Sequence, residues 1–165
     1  MPRYVKVELE KRGTSCTAVL LDGEAPRTCQ AVWNALPLGG DAFHAKYARN
    51  EVYTLVPPFA AQEPGPENPT VTPIPGDLCY FSIPAGNFDR AYRVQQGIDH
   101  LELIIDLAIF YGRNNLLLNA DTGWVPGTVF GSVVSGLEEM AAACQDVWRS
   151  GGVGEHLTFS RAEAP

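Results

Sequence analysis

The stretch "TVFGSVVSGLEEM", residues 128–140, decides the fold class because its apolar pattern changes at Gly136. Before this glycine the segment is apolar and rich in β-branched residues, which is typical of a strand. After it, Leu137 and Met140 begin an apolar face at helical spacing that extends to Trp148. The sequence therefore predicts a strand that leads directly into a helix.

Further strands are predicted along the whole chain. Residues 3–11, "RYVKVELEK", alternate between apolar and charged side chains, and residues 16–21, "CTAVLL", form a second apolar run after a turn. Together they predict a β-hairpin. The other predicted strands are 50–56 "NEVYTLV", 77–84 "DLCYFSIP", 103–112 "LIIDLAIFYG", 128–134 "TVFGSVV" and 155–161 "EHLTFSR".

The order of the elements predicts a mainly β protein. A first helix is expected within residues 24–40, where Cys29, Val32 and Leu36 recur at helical spacing. Strands outnumber helices and no regular βαβ alternation occurs. We therefore expect a closed or nearly closed antiparallel β-barrel with two α-helices over its openings.

The chain is expected to form one domain over residues 1–165. Residues 57–76 contain seven of the 13 prolines and are predicted to be an extended excursion. A domain linker is the alternative reading, and we reject it because neither half would have enough core to fold.

Charge and composition limit the function classes. The net charge of −7 argues against nucleic acid and anionic membranes as partners. No signal peptide or membrane span is predicted, and four cysteines without C-x-x-C spacing predict small buried hydrophobic residues in a reducing cytoplasm. No phosphate-binding loop or zinc-ligand spacing is present, so no cofactor and no metal are expected.

Two segments resemble cyclophilins. Residues 20–37, "LLDGEAPRTCQAVWNALP", are similar to the opening of that family, where an acidic turn and Ala-Pro-x-Thr begin the first helix. The stretch 128–140 is similar to the family's Val-Phe-Gly-x-Val-x-x-Gly segment. Residues 75–84 and 107–113 look like shorter bacterial proteins of unassigned function that carry a cyclophilin-like barrel. The resemblance implies that fold and membership of that group.

The resemblance also raises the question of peptidyl-prolyl isomerase activity. Cyclophilins place an arginine two positions after an aromatic residue, and Tyr47 and Arg49 match this spacing. Such an arginine stabilises the twisted amide of the transition state. The family's Gln-Gly-Gly stretch is absent, however, and its Asn-Gly-Ser-Gln-Phe-Phe strand is replaced by "DLAIFYG". These departures argue against isomerase activity.

A binding groove is predicted from the alternation of side chains along residues 44–53 and from the loop at residues 111–124. If residues 44–53 form a regular strand, alternate side chains share one face. Aromatic walls and an arginine could then hold a carboxylate or carbonyl, while a solvated strand face is the alternative. Residues 111–124 would form a second wall, with an ordinary turn as the alternative. The predicted ligand-binding residues are His44, Tyr47, Arg49, Glu51, Tyr53, Tyr111, Arg113, Asn114 and Trp124.

The predicted function is binding of a small molecule or peptide in a groove near Arg49 and Tyr111. Two alternatives from other classes stay open. One is a weak isomerase that uses Arg49, and the other is a non-catalytic subunit of an amide- or urea-cleaving assembly, which the resemblance to similar barrels suggests. Contacts between copies of the chain in a homo-oligomer are compatible with each of them.

Overall fold

The computed structural model describes residues 1–165 and shows mainly β structure with three α-helices. The strands are β1 (Tyr4–Leu9), β2 (Thr14–Leu20), β3 (Leu38–Asp41), β4 (Phe43–His44), β5 (Glu51–Val56), β6 (Pro69–Thr70), β7 (Asp77–Pro84), β8 (Leu103–Phe110), β9 (Leu118–Asn119), β10 (Gly123–Trp124), β11 (Gly127–Ser135) and β12 (His156–Ala162). The helices are α1 (Pro26–Ala35), α2 (Arg90–Gln95) and α3 (Leu137–Ser150), with a short 3₁₀ turn at Ala85–Asn87.

Ten strands form one large antiparallel sheet. Hydrogen-bonded neighbours follow the order β3-β12-β1-β2-β11-β7-β8-β5-β4, β6 pairs with β11, and β9 and β10 form a separate ribbon. The predicted hairpin of β1 and β2 is confirmed, with Val7 opposite Cys16. All the other predicted strands are present as well.

The predicted closed or nearly closed barrel is not confirmed. The hydrogen-bonded path is open because it ends at β3 and β4, which have only four and two residues. Where β3 passes β5, a Cβ added at Gly40 would lie 3.1 Å from Thr54 Oγ1, but no ladder joins the two strands. The sheet therefore curves back on itself without closing by hydrogen bonds.

The prediction of two helices is wrong, because α2 lies in the segment that we predicted to be a polar connection. Its formation depends on a cap, since the Asp89 side chain accepts hydrogen bonds from the backbone N–H groups of Ala91 and Tyr92. None of its residues is buried, so it has no apolar face that the sequence could reveal. Helix α1 begins at Pro26, as expected.

The sheet has an apolar core on each face. Along β8, Ile105, Leu107 and Ile109 belong to the larger core, which α1 and α3 cover. Ala108 and Phe110 point to the opposite face and belong to a smaller core. Because successive side chains alternate between faces, β8 is buried on both sides.

All four cysteines are buried and unpaired, which confirms their prediction as small core residues. No helix combines the length and the apolar character that a membrane span requires.

Candidate functional site

Two cavities lie on either side of the loop 45–50, between β4 and β5. We call the first the carboxyl pocket; it is lined by the loop, by β5, β7 and β8, and by residues 116–125. We call the second the histidine groove; it is lined by the same loop, Tyr111 and helix α3. Their volumes are about 160 and 280 Å³. Both are smaller than the ~300–1,000 Å³ of a typical ligand pocket, so each could enclose only a compact ligand.

The carboxyl pocket contains two buried acidic side chains. Glu51 is 6% exposed and Asp106 is 7% exposed. They come from neighbouring strands, where Asp106 lies opposite Leu55 and Tyr53 lies opposite Ala108. Glu51, Tyr53 and Asp106 thus share the face of the smaller core.

Neither carboxyl of this pair forms an ion pair, since every salt bridge of the chain involves other residues. One oxygen of Asp106, Oδ1, is buried and has no hydrogen-bond partner. An unpartnered buried acceptor costs free energy, so such groups are rare and often mark functional sites. The pocket is therefore lined by an acidic side chain that no hydrogen bond of the protein satisfies.

Burial changes the acid–base behaviour of this pair. It raises the pKa of Glu51 to about 8. Burial also raises the pKa of Asp106 well above its usual range, and the negative charge of Glu51 adds to this effect. The pKa of the Tyr53 hydroxyl is raised by burial and by both carboxyls. With a pKa of about 8, Glu51 consequently holds its proton at neutral pH, and burial favours the protonated form of Asp106 as well.

The rest of the lining is apolar and partly aromatic. Phe81 and Ile83 extend from β7, and Tyr47 approaches from the loop with 56% of its surface exposed. Lys46 is the one cationic residue in the lining, and it is exposed. An apolar cavity with a few converging polar groups is the usual composition of a ligand pocket.

The histidine groove is built around a pair of hydrogen-bonded side chains. The His44 Nδ1 donates to the carbonyl oxygen of Ala45 at 2.9 Å, because a carbonyl can only accept. The Nε2 atom of His44 is therefore the acceptor, and the Tyr111 hydroxyl donates to it at 2.6 Å. Trp148 packs against the imidazole with ring centroids 4.9 Å apart. Burial lowers the pKa of His44, which favours this neutral tautomer.

The loop 45–50 differs from the regular strand that we predicted. Arg49 has a left-handed backbone with φ of 70°, so the alternation of residues 47, 49, 51 and 53 on one face is wrong. Asn50 stabilises this loop through a 2.8 Å hydrogen bond from its side-chain nitrogen to the Arg113 carbonyl. As a result Tyr47 lines the carboxyl pocket, whereas Arg49 lines the histidine groove.

The structure thus divides the predicted site residues into three groups. Tyr47, Glu51 and Tyr53 line the carboxyl pocket. The histidine groove contains His44, Arg49 and Tyr111. The remaining residues lie outside both linings; they are Arg113, Asn114 and Trp124.

Two of these remaining residues lie in a turn and in a β-ribbon. Asn114 has a left-handed backbone with φ of 64°. This conformation agrees with the alternative prediction of an ordinary turn at this loop. Trp124 is 58% exposed on the ribbon of β9 and β10, where it pairs with Leu118.

Sequence reasoning missed Asp106, which is the most informative residue of the carboxyl pocket. Its signal was present: one carboxylate stands alone in the apolar run "LIIDLAIF" of β8. Charged residues are almost never fully buried without a partner, so an isolated acid in a central strand indicates a special environment. Trp148 and Gln145 of the histidine groove were missed because they belong to helix α3.

Two solved structures share this fold. In the structure of McbB in complex with tryptophan, the TM-score is 0.59 and the identity is 20% over 98% of this chain. The chain spans only 46% of McbB. The solution structure of the hypothetical protein AF2241 from Archaeoglobus fulgidus gives a TM-score of 0.51 and 20% identity, over 98% of this chain and 95% of that protein. At this identity the similarity concerns the fold alone.

No curated protein sequence matches the chain at a significant level. The comparisons do not confirm a relationship to cyclophilins or a bacterial origin. Residues 7–159 match the family described as "Protein of unknown function (DUF3830)". This match includes every residue that lines the two cavities. The chain therefore belongs to the DUF3830 family, whose function is unknown.

Proposed function

We propose that this protein binds a small molecule in the carboxyl pocket. The observation that carries the proposal is the Asp106 side chain, which lines the cavity, is only 7% exposed and accepts no hydrogen bond from the protein. A donor group on a ligand would satisfy this acceptor and offset the free-energy cost of its burial. Glu51 offers a second acidic group in the same cavity.

The size of the cavity supports a compact ligand. A cavity of roughly 150 Å³ can hold a benzene ring, and the carboxyl pocket measures about 160 Å³. The exposed Tyr47 and Leu118 at the rim would cover parts of a ligand that extend beyond the cavity. McbB, which shares the fold, has been described in complex with tryptophan. A small-molecule ligand in this pocket is in keeping with that precedent.

The test is a thermal-shift screen of small aromatic and aliphatic compounds that carry hydrogen-bond donors. A ligand present at 100 times its Kd stabilises the folded state by about 2.7 kcal/mol. We expect hits that stabilise the native protein but not Asp106→Leu, which removes the acceptor and fills part of the cavity. The matched control is Asp99→Leu at an exposed position, which should keep the response. Equal shifts for the native protein and Asp106→Leu would contradict the proposal.

A second candidate site is the histidine groove, which contains the predicted groove residues Arg49 and Tyr111. The specific observation in its favour is that these residues line one cavity together with His44 and Trp148. We propose that a small molecule or a peptide pairs its carboxylate with Arg49 and packs its apolar part against Trp148. Chemical-shift changes of the Trp148 indole on addition of short peptides, lost in Arg49→Ala, would support it. A response that persists in Arg49→Ala would count against it.

The other hypotheses remain proposals with tests of their own. Acceleration of Ala-Pro isomerisation that requires Arg49 would support a weak isomerase. Light scattering on a sizing column would separate a monomer from a homo-oligomer or an assembly subunit. We also propose a cyclophilin-like arrangement of the sheet, supported by the approach of β3 to β5. A cytoplasmic location is supported by the four unpaired cysteines.

A further inference from the structure

We infer that the carboxyl pocket selects an organic cation, namely a small protonated amine that carries an apolar group. This inference rests on the proposed function of the pocket and adds the chemical class of its ligand. Two acidic side chains, each more than nine-tenths buried, line one cavity, and the Oδ1 atom of Asp106 has no partner within the protein. The protein thus provides buried acceptors but no buried cation for them.

The balance of charge favours a cationic ligand over a neutral or anionic one. The only basic residue in the lining is Lys46, whose side chain lies exposed at the rim and makes no ion pair with either acid. A buried carboxylate is strongly disfavoured until an opposite charge lies close to it. An ammonium group bound beside one of these carboxyls would supply that charge and also donate hydrogen bonds to it. An anionic ligand would instead meet two acids in a poorly solvated space.

The rest of the lining favours an organic cation over a metal ion. Ten of the fourteen lining residues are hydrophobic, so a hydrated ion would lose its water without enough oxygen ligands to replace it. No third histidine, cysteine or acidic side chain joins the pair in a metal-binding cluster. The faces of Phe81, Tyr47 and Tyr53 suit the hydrocarbon part of an amine, and aromatic faces also attract ammonium groups.

Proton release should accompany binding. The ionisable groups around the pair are Cys79 from β7, Tyr53 from β5, Tyr92 from α2, and Lys46 and Tyr47 from the loop. Lys46 is the one charged group among these near neutral pH, because thiols and phenols are uncharged there. Glu51 and Asp106 are therefore the groups that change protonation when a cation enters. Affinity for an amine should rise with pH as the pair loses its protons.

The experiment compares three probes that share a phenyl ring: benzylamine, benzyl alcohol and benzoate. Isothermal titration calorimetry at pH 6.5 and 8.5, in two buffers of different ionisation enthalpy, measures both affinity and proton release. We expect benzylamine to bind at least 10-fold more tightly than the other probes at pH 8.5. We also expect weaker binding at pH 6.5 and net release of protons.

Variants of the pair provide the controls. Asp106→Asn and Glu51→Gln keep the shape of the side chains, and each should lower the affinity for benzylamine at least 10-fold at pH 8.5. Asp99→Asn, an exposed residue of the same type, should leave it unchanged. If one variant fails to fold, the other still tests the inference.

Other results would contradict either the selectivity for a cation or the pocket itself. Equal or tighter binding of benzyl alcohol or benzoate would overturn the selection of a cation and leave the proposed pocket intact. Benzylamine binding that neither Asp106→Asn nor Glu51→Gln weakens would overturn the role of the pair. If none of the three probes binds, while a wider screen finds ligands that depend on Asp106, only the inference fails. If that screen also finds none, the proposed function fails with it.

Discussion

The substitution Glu51→Gln is expected to stabilise the protein at alkaline pH. Glu51 is 6% exposed, makes no ion pair and shares its cavity with a second acid, so its ionised form is poorly solvated. Glutamine has nearly the same shape and carries no charge. The variant therefore removes the electrostatic cost and leaves the packing of the pocket in place.

The size of the effect follows from the pKa. Burial raises the pKa of Glu51 from its ordinary value of 4.5 to about 8 in the folded protein, and each unit corresponds to about 1.4 kcal/mol. The folded state then binds more protons than the unfolded state, so stability is full below pH 4.5 and is lost as pH rises through 8. Because water can enter the pocket as the charge forms, we expect a loss of about 2–5 kcal/mol between pH 5 and pH 9.

Urea unfolding at pH 5, 7 and 9 measures this loss directly. At pH 5 the native protein and Glu51→Gln should agree to within about 1 kcal/mol, and at pH 9 the variant should be more stable by about 2–5 kcal/mol. Glu24→Gln, at an exposed position, is the matched control and should follow the native protein. Parallel pH profiles for the native protein and Glu51→Gln would refute the reasoning, because Glu51 would then have similar pKa values when folded and unfolded.

Three further predictions concern packing and acid–base chemistry. The Cβ of Gly127→Ala would lie 2.7 Å from two ring carbons of Phe81, so we expect urea unfolding to show a loss of about 1–3 kcal/mol; an unchanged stability would contradict the packing at the base of the carboxyl pocket. His44 should titrate below its ordinary value of 6.5 in NMR spectra, and Trp148→Ala, which uncovers its ring, should raise this pKa toward that value; an unshifted histidine would contradict its burial. Ala-Pro peptides should isomerise at the uncatalysed rate in the presence of the protein, and a rate that falls on Arg49→Ala would revive the isomerase hypothesis.

Much of the fold could be predicted because its signals are local. The alternation in β1 and the largely apolar run of β8 indicate one-sided and two-sided burial, and the structure confirms both. Helix α2 escaped prediction because it depends on the cap of Asp89 and buries no residue. The open path of the sheet could not be predicted from local signals either, because it depends on whether β3 and β5 form a hydrogen-bonded ladder, which tertiary packing decides.

The candidate site was predicted only in part, for a related reason. Tyr47, Glu51 and Tyr53 were identified from their residue types. The left-handed backbone at Arg49, however, places Tyr47 and Arg49 in different cavities. A non-glycine residue in that conformation has no reliable sequence signal. The meeting of Glu51 with Asp106 depends on the register between β5 and β8, which long-range packing determines. The isolated acid in an apolar strand was the one local sign of it.

The most direct test of the central claim is a carbon-13 NMR titration of the side-chain carboxyl groups between pH 3 and pH 10. We expect the carboxyl carbon of Glu51 to titrate near pH 8 and that of Asp106 to titrate well above its usual range, and we expect benzylamine to lower both midpoints. Midpoints near pH 4 for both residues would show that the pair is solvated and ionised, and would contradict the account of a buried, proton-holding pocket.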